Sequence, residues 1–203
     1  MLFDDTYKEI QSQSKSIYRE KGSKFHAYAY PVYSKENITQ RLKELKQIES
    51  SANHHCYAYV LHPDKSEKRM NDDGEPNGTA GRPILKQIEN NQLTNTLIVV
   101  VRYFGGIKLG IPGLLRAYKT VANDVIKNCI IIDKIIKEQY TIRFHHEEMN
   151  NVMRIIKNYD LEIINTDFGI QNKLTFLVPK KKSDVILNKL KSNHKINIDF
   201  TSI

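Results

Sequence analysis

Four glycines, Gly105, Gly106, Gly110 and Gly113, fall within nine residues where an apolar run gives way to a helical pattern, and the cations Arg102, Lys108 and Arg116 stand around them. A glycine loop that opens a helix presents backbone N–H groups to a ligand, and the helix dipole adds to their pull on negative charge. Guanidinium groups suit the same ligands, since their paired N–H groups match two oxygens of a phosphate. The chemistry on offer is anion binding, a cradle for phosphate or a nucleic-acid backbone built largely from main chain. The opposing reading is a purely structural tight turn. The loop has no Gly-Lys-Ser/Thr ending for a nucleotide P-loop, and its glycines lack the dinucleotide spacing. Gly110-Ile111-Pro112-Gly113 spells the GxxG of KH domains, but it follows a strand pattern instead of joining two helices.

A second glycine-rich stretch, from Asp72 to Pro83, carries Asp72, Asp73 and Glu75. Carboxylates serve metal or acid–base chemistry only when they converge on a substrate, and adjacent loop residues do not by themselves show this. Turn and cap roles are the simpler expectation, and Arg102 or Arg82 pairing with these acids is an alternative to ligand binding for the arginines. His54 and Cys56 share a strand face, yet a nucleophilic pair needs an orienting third group and an exposed thiolate. His145-His146 followed by Glu147-Glu148 reads as a helix start with favourable acids, not as a metal cluster. Lys180-Lys181-Lys182 reads most simply as a solvated turn before a helix, with contact to phosphates as the second reading. No nucleophile, base and orienter can be assembled, so the expectation is a protein without catalysis, metal or cofactor.

These residues must be placed by surrounding elements. Strands are expected over 16–19 and 24–32 with a turn at Lys21-Gly22-Ser23, and a helix over 35–49 capped by Ser34. Further strands are expected over 55–61 and 67–70. Thr79 is set to cap a helix over 80–89, and a nearly continuous apolar strand covers 96–104. The helix after the glycine loop should bury Leu114, Leu115, Tyr118, Val121, Val125 and Ile126. The pattern restarts after Asp133 as strand, helix, strand, strand, helix, strand, with strands over 139–144, 161–167, 173–179 and 196–200 and helices over 147–159 and 183–191. The fold class is therefore α+β: a mixed sheet with helices on one face (residues 1–135), then a ferredoxin-like β-α-β-β-α-β domain (136–203).

Gly74-Glu75-Pro76-x-Gly78-Thr79-Ala80-Gly81, then Arg102-Tyr103-Phe104-Gly105-Gly106-x-Lys108-Leu109-Gly110, then Gly113-Leu114-x-Arg116-Ala117-Tyr118 resemble the signature of the YigZ/IMPACT family. Asn77 stands where serine is common, and Pro112 stands where glycine is expected and removes one N–H. The resemblance implies a first domain like the second domain of a small-subunit ribosomal protein and a last domain like parts of elongation factor G. It also implies that Lys24 and Arg82 converge on the glycine loop. Lys24, Arg82, Arg102, Gly105, Gly106, Lys108, Gly110, Gly113 and Arg116 are the expected phosphate or nucleic-acid contacts. Eukaryotic members regulate translation, so the implied partner is RNA or a component of the translation machinery.

The formal charge of +8 fits such a partner, but it is spread as +5 over residues 1–135 and +3 over 136–203, with no basic tail. The first residues are acidic where a signal peptide would be basic, and no apolar run is long enough for a membrane span, so the cytoplasm is expected. Two cysteines, Cys56 and Cys129, make no disulfide framework. Two other classes stay open: an enzyme acting on a phosphorylated small molecule through the same loop, and a protein–protein interaction module.

Overall fold

The computed structural model describes residues 5–192 and 194–202. Contacts group them into two units, one from Tyr7 to Lys134 and one from Ile135 onward together with the described residues before Tyr7. The first contains β1 (Thr6–Ile10), β2 (Ser14–Glu20), β3 (Ser23–Pro31), α1 (Lys35–Ile48), β4 (His54–Leu61), β5 (Glu67–Asn71), α2 (Gly81–Asn90), β6 (Thr96–Tyr103), α3 (Gly110–Lys127) and β7 (Ile131–Ile135), apart from the end residues Thr6 and Ile135, which group with the second. Strands pair in the order β2-β3-β6-β4-β5, and β1 with β7 forms a separate two-stranded sheet that sequence patterning did not predict. Lys21 and Gly22 both take positive φ, so β2 reverses into β3 within two residues.

Every neighbouring pair in the five-stranded sheet is antiparallel, where a mixed sheet was expected. The strands on either side of α1, β3 and β4, are not neighbours: β6 inserts between them and runs against both. Helices also lie on both faces instead of one. Ile98 and Val100 of β6 pack with Phe25, Ala27 and Tyr118 against α2 and α3, whereas Leu97, Val99 and Val101 pack with Ile38 and Leu45 of α1. A strand with a continuous apolar run, Leu97 to Val101, needs cover on both sides, and one layer of helices cannot give it.

Two local expectations also change. Thr79 does not cap α2: its hydroxyl donates to the Pro76 carbonyl, and the side chain of Asp72 accepts the N–H groups of Ala80 (3.0 Å) and Gly81 (2.8 Å) instead. Leu115 is 39% exposed, because it lies about 100° around α3 from Leu114 and so off the stripe formed with Tyr118 and Val121. Ser34 caps α1 as expected, accepting the Asn37 N–H.

The second unit contains β8 (Lys137–Phe144), α4 (Met149–Asn158), β9 (Glu162–Asp167), β10 (Asn172–Pro179), α5 (Ser183–Lys191) and β11 (Asn197–Ser202). Its sheet has the antiparallel order β11-β8-β10-β9, and Phe144, Val152, Phe176 and Ile186 fill the space under the two helices. This is the ferredoxin-like arrangement.

Candidate functional site

The acidic loop and the start of α3 meet at Glu75. Its carboxylate, 3% exposed, accepts hydrogen bonds from the Arg102 guanidinium at 2.7 Å and the Tyr118 hydroxyl at 2.8 Å. Arg102 also donates to the Ser23 hydroxyl, and its charge lies over the rings of Phe25 and Phe104. The Cys56 thiol donates to the Asp72 carbonyl and contacts the Tyr118 hydroxyl. Burial pushes that thiol well above its usual range, and the charge of Glu75 adds to the shift. Asp73 accepts the His55 N–H through its side chain, while its carbonyl lies 2.8 Å from His54 Nδ1. Every carboxylate of the loop thus holds protein atoms, and a buried thiol of this kind is a poor nucleophile.

Gly105 lies against the β2–β3 turn so closely that a Cβ there would stand 1.9 Å from the Gly22 carbonyl carbon. Only glycine permits that approach, which fixes the loop on the hairpin. Beyond it a pocket of about 350 Å³ is lined by Glu75, Pro76, Phe104, Lys108 and Ile111, with Arg102 in its wall. Lys108 is exposed, without an ion pair among the described residues, and so is Arg82. Arg116, also exposed, pairs with Glu20. Gly106 and Gly110 take positive φ, and the Cβ of Leu109 crowds Gly113.

Lys24 is elsewhere. Strand alternation sends Phe25, Ala27 and Ala29 toward α2 and α3, so Lys24, His26 and Tyr28 point to the other face, away from Arg102. There Lys15 pairs across the strands with Tyr28, Ile17 with His26, and Arg19 with Lys24, and Lys24 is in turn opposite Tyr103. Arg19 and Lys24 have no acidic partner among the described residues. Two adjoining hollows of about 540 and 450 Å³ share Ile17 and His26 and make one groove along these strands. Its single acid, Glu49, accepts from His26 at 3.1 Å and from the hydroxyls of Tyr28 and Tyr103. Burial raises the Glu49 carboxyl, but those three donors outweigh it and hold the group below the usual carboxylate range.

Residues 21–126 match the family model of the Impact N-terminal domain. An IMPACT family member from Haemophilus influenzae is 30% identical over 187 residues, which cover 90% of this chain and 91% of that protein. The chain belongs to the IMPACT family. IMPACT family member YigZ from Escherichia coli is 35% identical over 133 residues, 64% of this chain and 65% of its own. A crystal structure of a hypothetical protein superposes with a TM-score of 0.74 and 26% identity, covering 99% of this chain and 98% of the other. The segment matched to the Impact domain runs from the β2–β3 turn into α3, so it holds the Glu75 junction, the glycine loop and Lys24. Lys15, Ile17 and Arg19 precede it.

Of the nine expected contacts, the structure brings Arg102, Lys108 and Gly110 to one pocket, ties Arg102 and Arg116 to acids, and puts Lys24 on the opposite face. Lys15, Arg19, His26, Tyr103 and Phe104, which line the groove along β2 and β3, were not among the contacts expected from the sequence. The alternation of Lys15, Ile17 and Arg19 was visible, but alternation does not say which face a helix will cover. Among the described residues no group of three or more His, Cys, Asp or Glu side chains is placed to hold a metal, and Glu147, expected as a helix-start acid, pairs with Lys195.

Proposed function

We propose that this IMPACT family protein is a non-catalytic binding protein that acts in the cytoplasm, and that its first unit holds RNA or a component of the translation machinery. The observation that carries the reading is the cross-strand pair Arg19 and Lys24. Like charges placed directly opposite in a sheet destabilise it, and no acid among the described residues neutralises these two. A polyanion would. Lys108 and Arg82 supply further uncommitted charge, and the family's link to translation favours RNA as the polyanion. Arg102, by contrast, belongs to the fold.

The test is equilibrium binding of the full chain to RNA at several salt concentrations. Binding that weakens steeply with salt supports the proposal, since each neutralised phosphate releases counterions. Saturation by a small phosphorylated compound, with a shallow salt dependence, would replace it with the enzyme or metabolite-binding alternative.

A further inference from the structure

From the groove over β2 and β3 we infer that the nucleic acid bound is a single strand of RNA, laid across the open sheet face with its phosphates on Lys15, Arg19 and Lys24 and its bases on Phe104, His26 and Ile17. This inference rests on the proposed function and names its ligand. Three features argue for a single strand over a duplex.

The first is that charge and apolar surface alternate. Ile17 is 59% exposed and Phe104 47% exposed, and both line the groove between cations. A duplex turns its base faces inward and offers phosphates, sugar hydroxyls and polar base edges, so it would cover these side chains without a matching apolar face. Unpaired bases have π-faces that stack on such side chains.

The second is spacing. Lys15 and Arg19 lie four residues apart on one strand, about 13 Å at the usual rise, with Ile17 midway and His26 directly across from it. A short run of nucleotides can lay successive phosphates on the outer cations and a base on the apolar step between them. His26 and Tyr103 add two rings whose centroids are 5.4 Å apart.

The third concerns the acid in the groove. Glu49 would repel a phosphate, but two tyrosine hydroxyls and His26 already direct their hydrogen bonds at its oxygens. Its charge is thereby held close to α1 and the sheet, and the cations on β2 and β3 set the field felt in the groove.

The experiment compares the full chain binding to a fluorescent single-stranded RNA of about ten nucleotides, to the same sequence as a duplex, and to polyglutamate. Thermal melting of every variant is followed in parallel. The single strand should bind at least about tenfold more tightly than the duplex, and polyglutamate more weakly still. Arg19→Ala and Lys24→Ala should each lower the log–log salt slope by about 0.7. Phe104→Ala should weaken single-strand binding about tenfold or more; should its melting show lost structure, Ile17→Ser gives the same readout from an exposed strand position. Equal binding of duplex and single strand, or unchanged affinity in Phe104→Ala and Ile17→Ser when both fold, overturns the single-strand inference while RNA binding itself stands. Polyglutamate binding as tight as RNA also overturns it and points to an acidic protein segment. If no RNA binds at all, the proposed function fails together with the inference.

Discussion

At the Glu75 junction a guanidinium is buried, lies over two rings and is hydrogen-bonded to a carboxylate and a hydroxyl, whereas on the open face of β2 and β3 two cations stand side by side with no acidic partner among the described residues. Both regions belong to the same sheet, and the residues of both are the kinds that bind anions. Their environments give them different work. A buried charge must be paired by the protein, because leaving water without a partner is too costly; an exposed one can wait for a ligand, because solvent screens it meanwhile. The glycine-rich signature is thus largely a clasp joining the acidic loop, the hairpin turn and α3, and the binding surface we propose uses residues with less conspicuous spacing.

Breaking the clasp should have the largest effect. Glu75→Ala leaves Arg102 buried without its carboxylate and should destabilise the fold by about 3–5 kcal/mol, measured by urea denaturation. A loss below about 1 kcal/mol would mean that Arg102 reaches solvent easily and that the two regions do not differ as described. Asp72→Ala should follow at about 1–2 kcal/mol, because it uncaps α2 and frees the Gly78 N–H as well; Thr79→Val should cost less than Asp72→Ala, and the reverse order would restore Thr79 as the cap.

Acid sharpens the contrast. Burial lowers the His55 value from its ordinary one, so the fold favours neutral histidine. The stability this contributes is present above about pH 6.5 and is lost as pH falls through the lower folded value. Glu49, also lowered, contributes stability above the usual carboxylate range and loses it as pH falls further. Thermal melting should therefore decline in two stages on acidification, and Glu49→Gln should reduce the second, to which Glu36, Asp64 and Glu67, also lowered, contribute as well. A single stage in the parent protein would count against one of these sites.

The smallest stability changes should come from the open face. Arg19→Ala and Lys108→Ala should each shift stability by no more than about 0.5 kcal/mol, and Arg19→Ala is expected to be neutral or slightly stabilising because it relieves the contact with Lys24. A large loss from Arg19→Ala would mean that this cation is another tie.

Much of the architecture was legible in the chain itself. The apolar stripe of β6, the Ser34 cap, a turn at Lys21-Gly22-Ser23, which the structure tightens to Lys21-Gly22, and the β-α-β-β-α-β pattern of the second unit are local properties, set by periodicity and backbone preference. The two glycine-rich stretches were equally plain, and so was pairing between Arg102 and the acidic loop as one of two readings. What the sequence could not decide was partnership across distance. Asp72 caps a helix nine residues away because β5 ends beside it, Gly105 is required by the backbone of Gly22, and Lys24 faces away from Arg102 because strand parity separates them. Which face α1 would cover, and hence which cations stay open to a ligand, depends on β6 entering between β3 and β4. That is a matter of strand order, and strand order is chosen by burial over the whole sheet, not by any single segment.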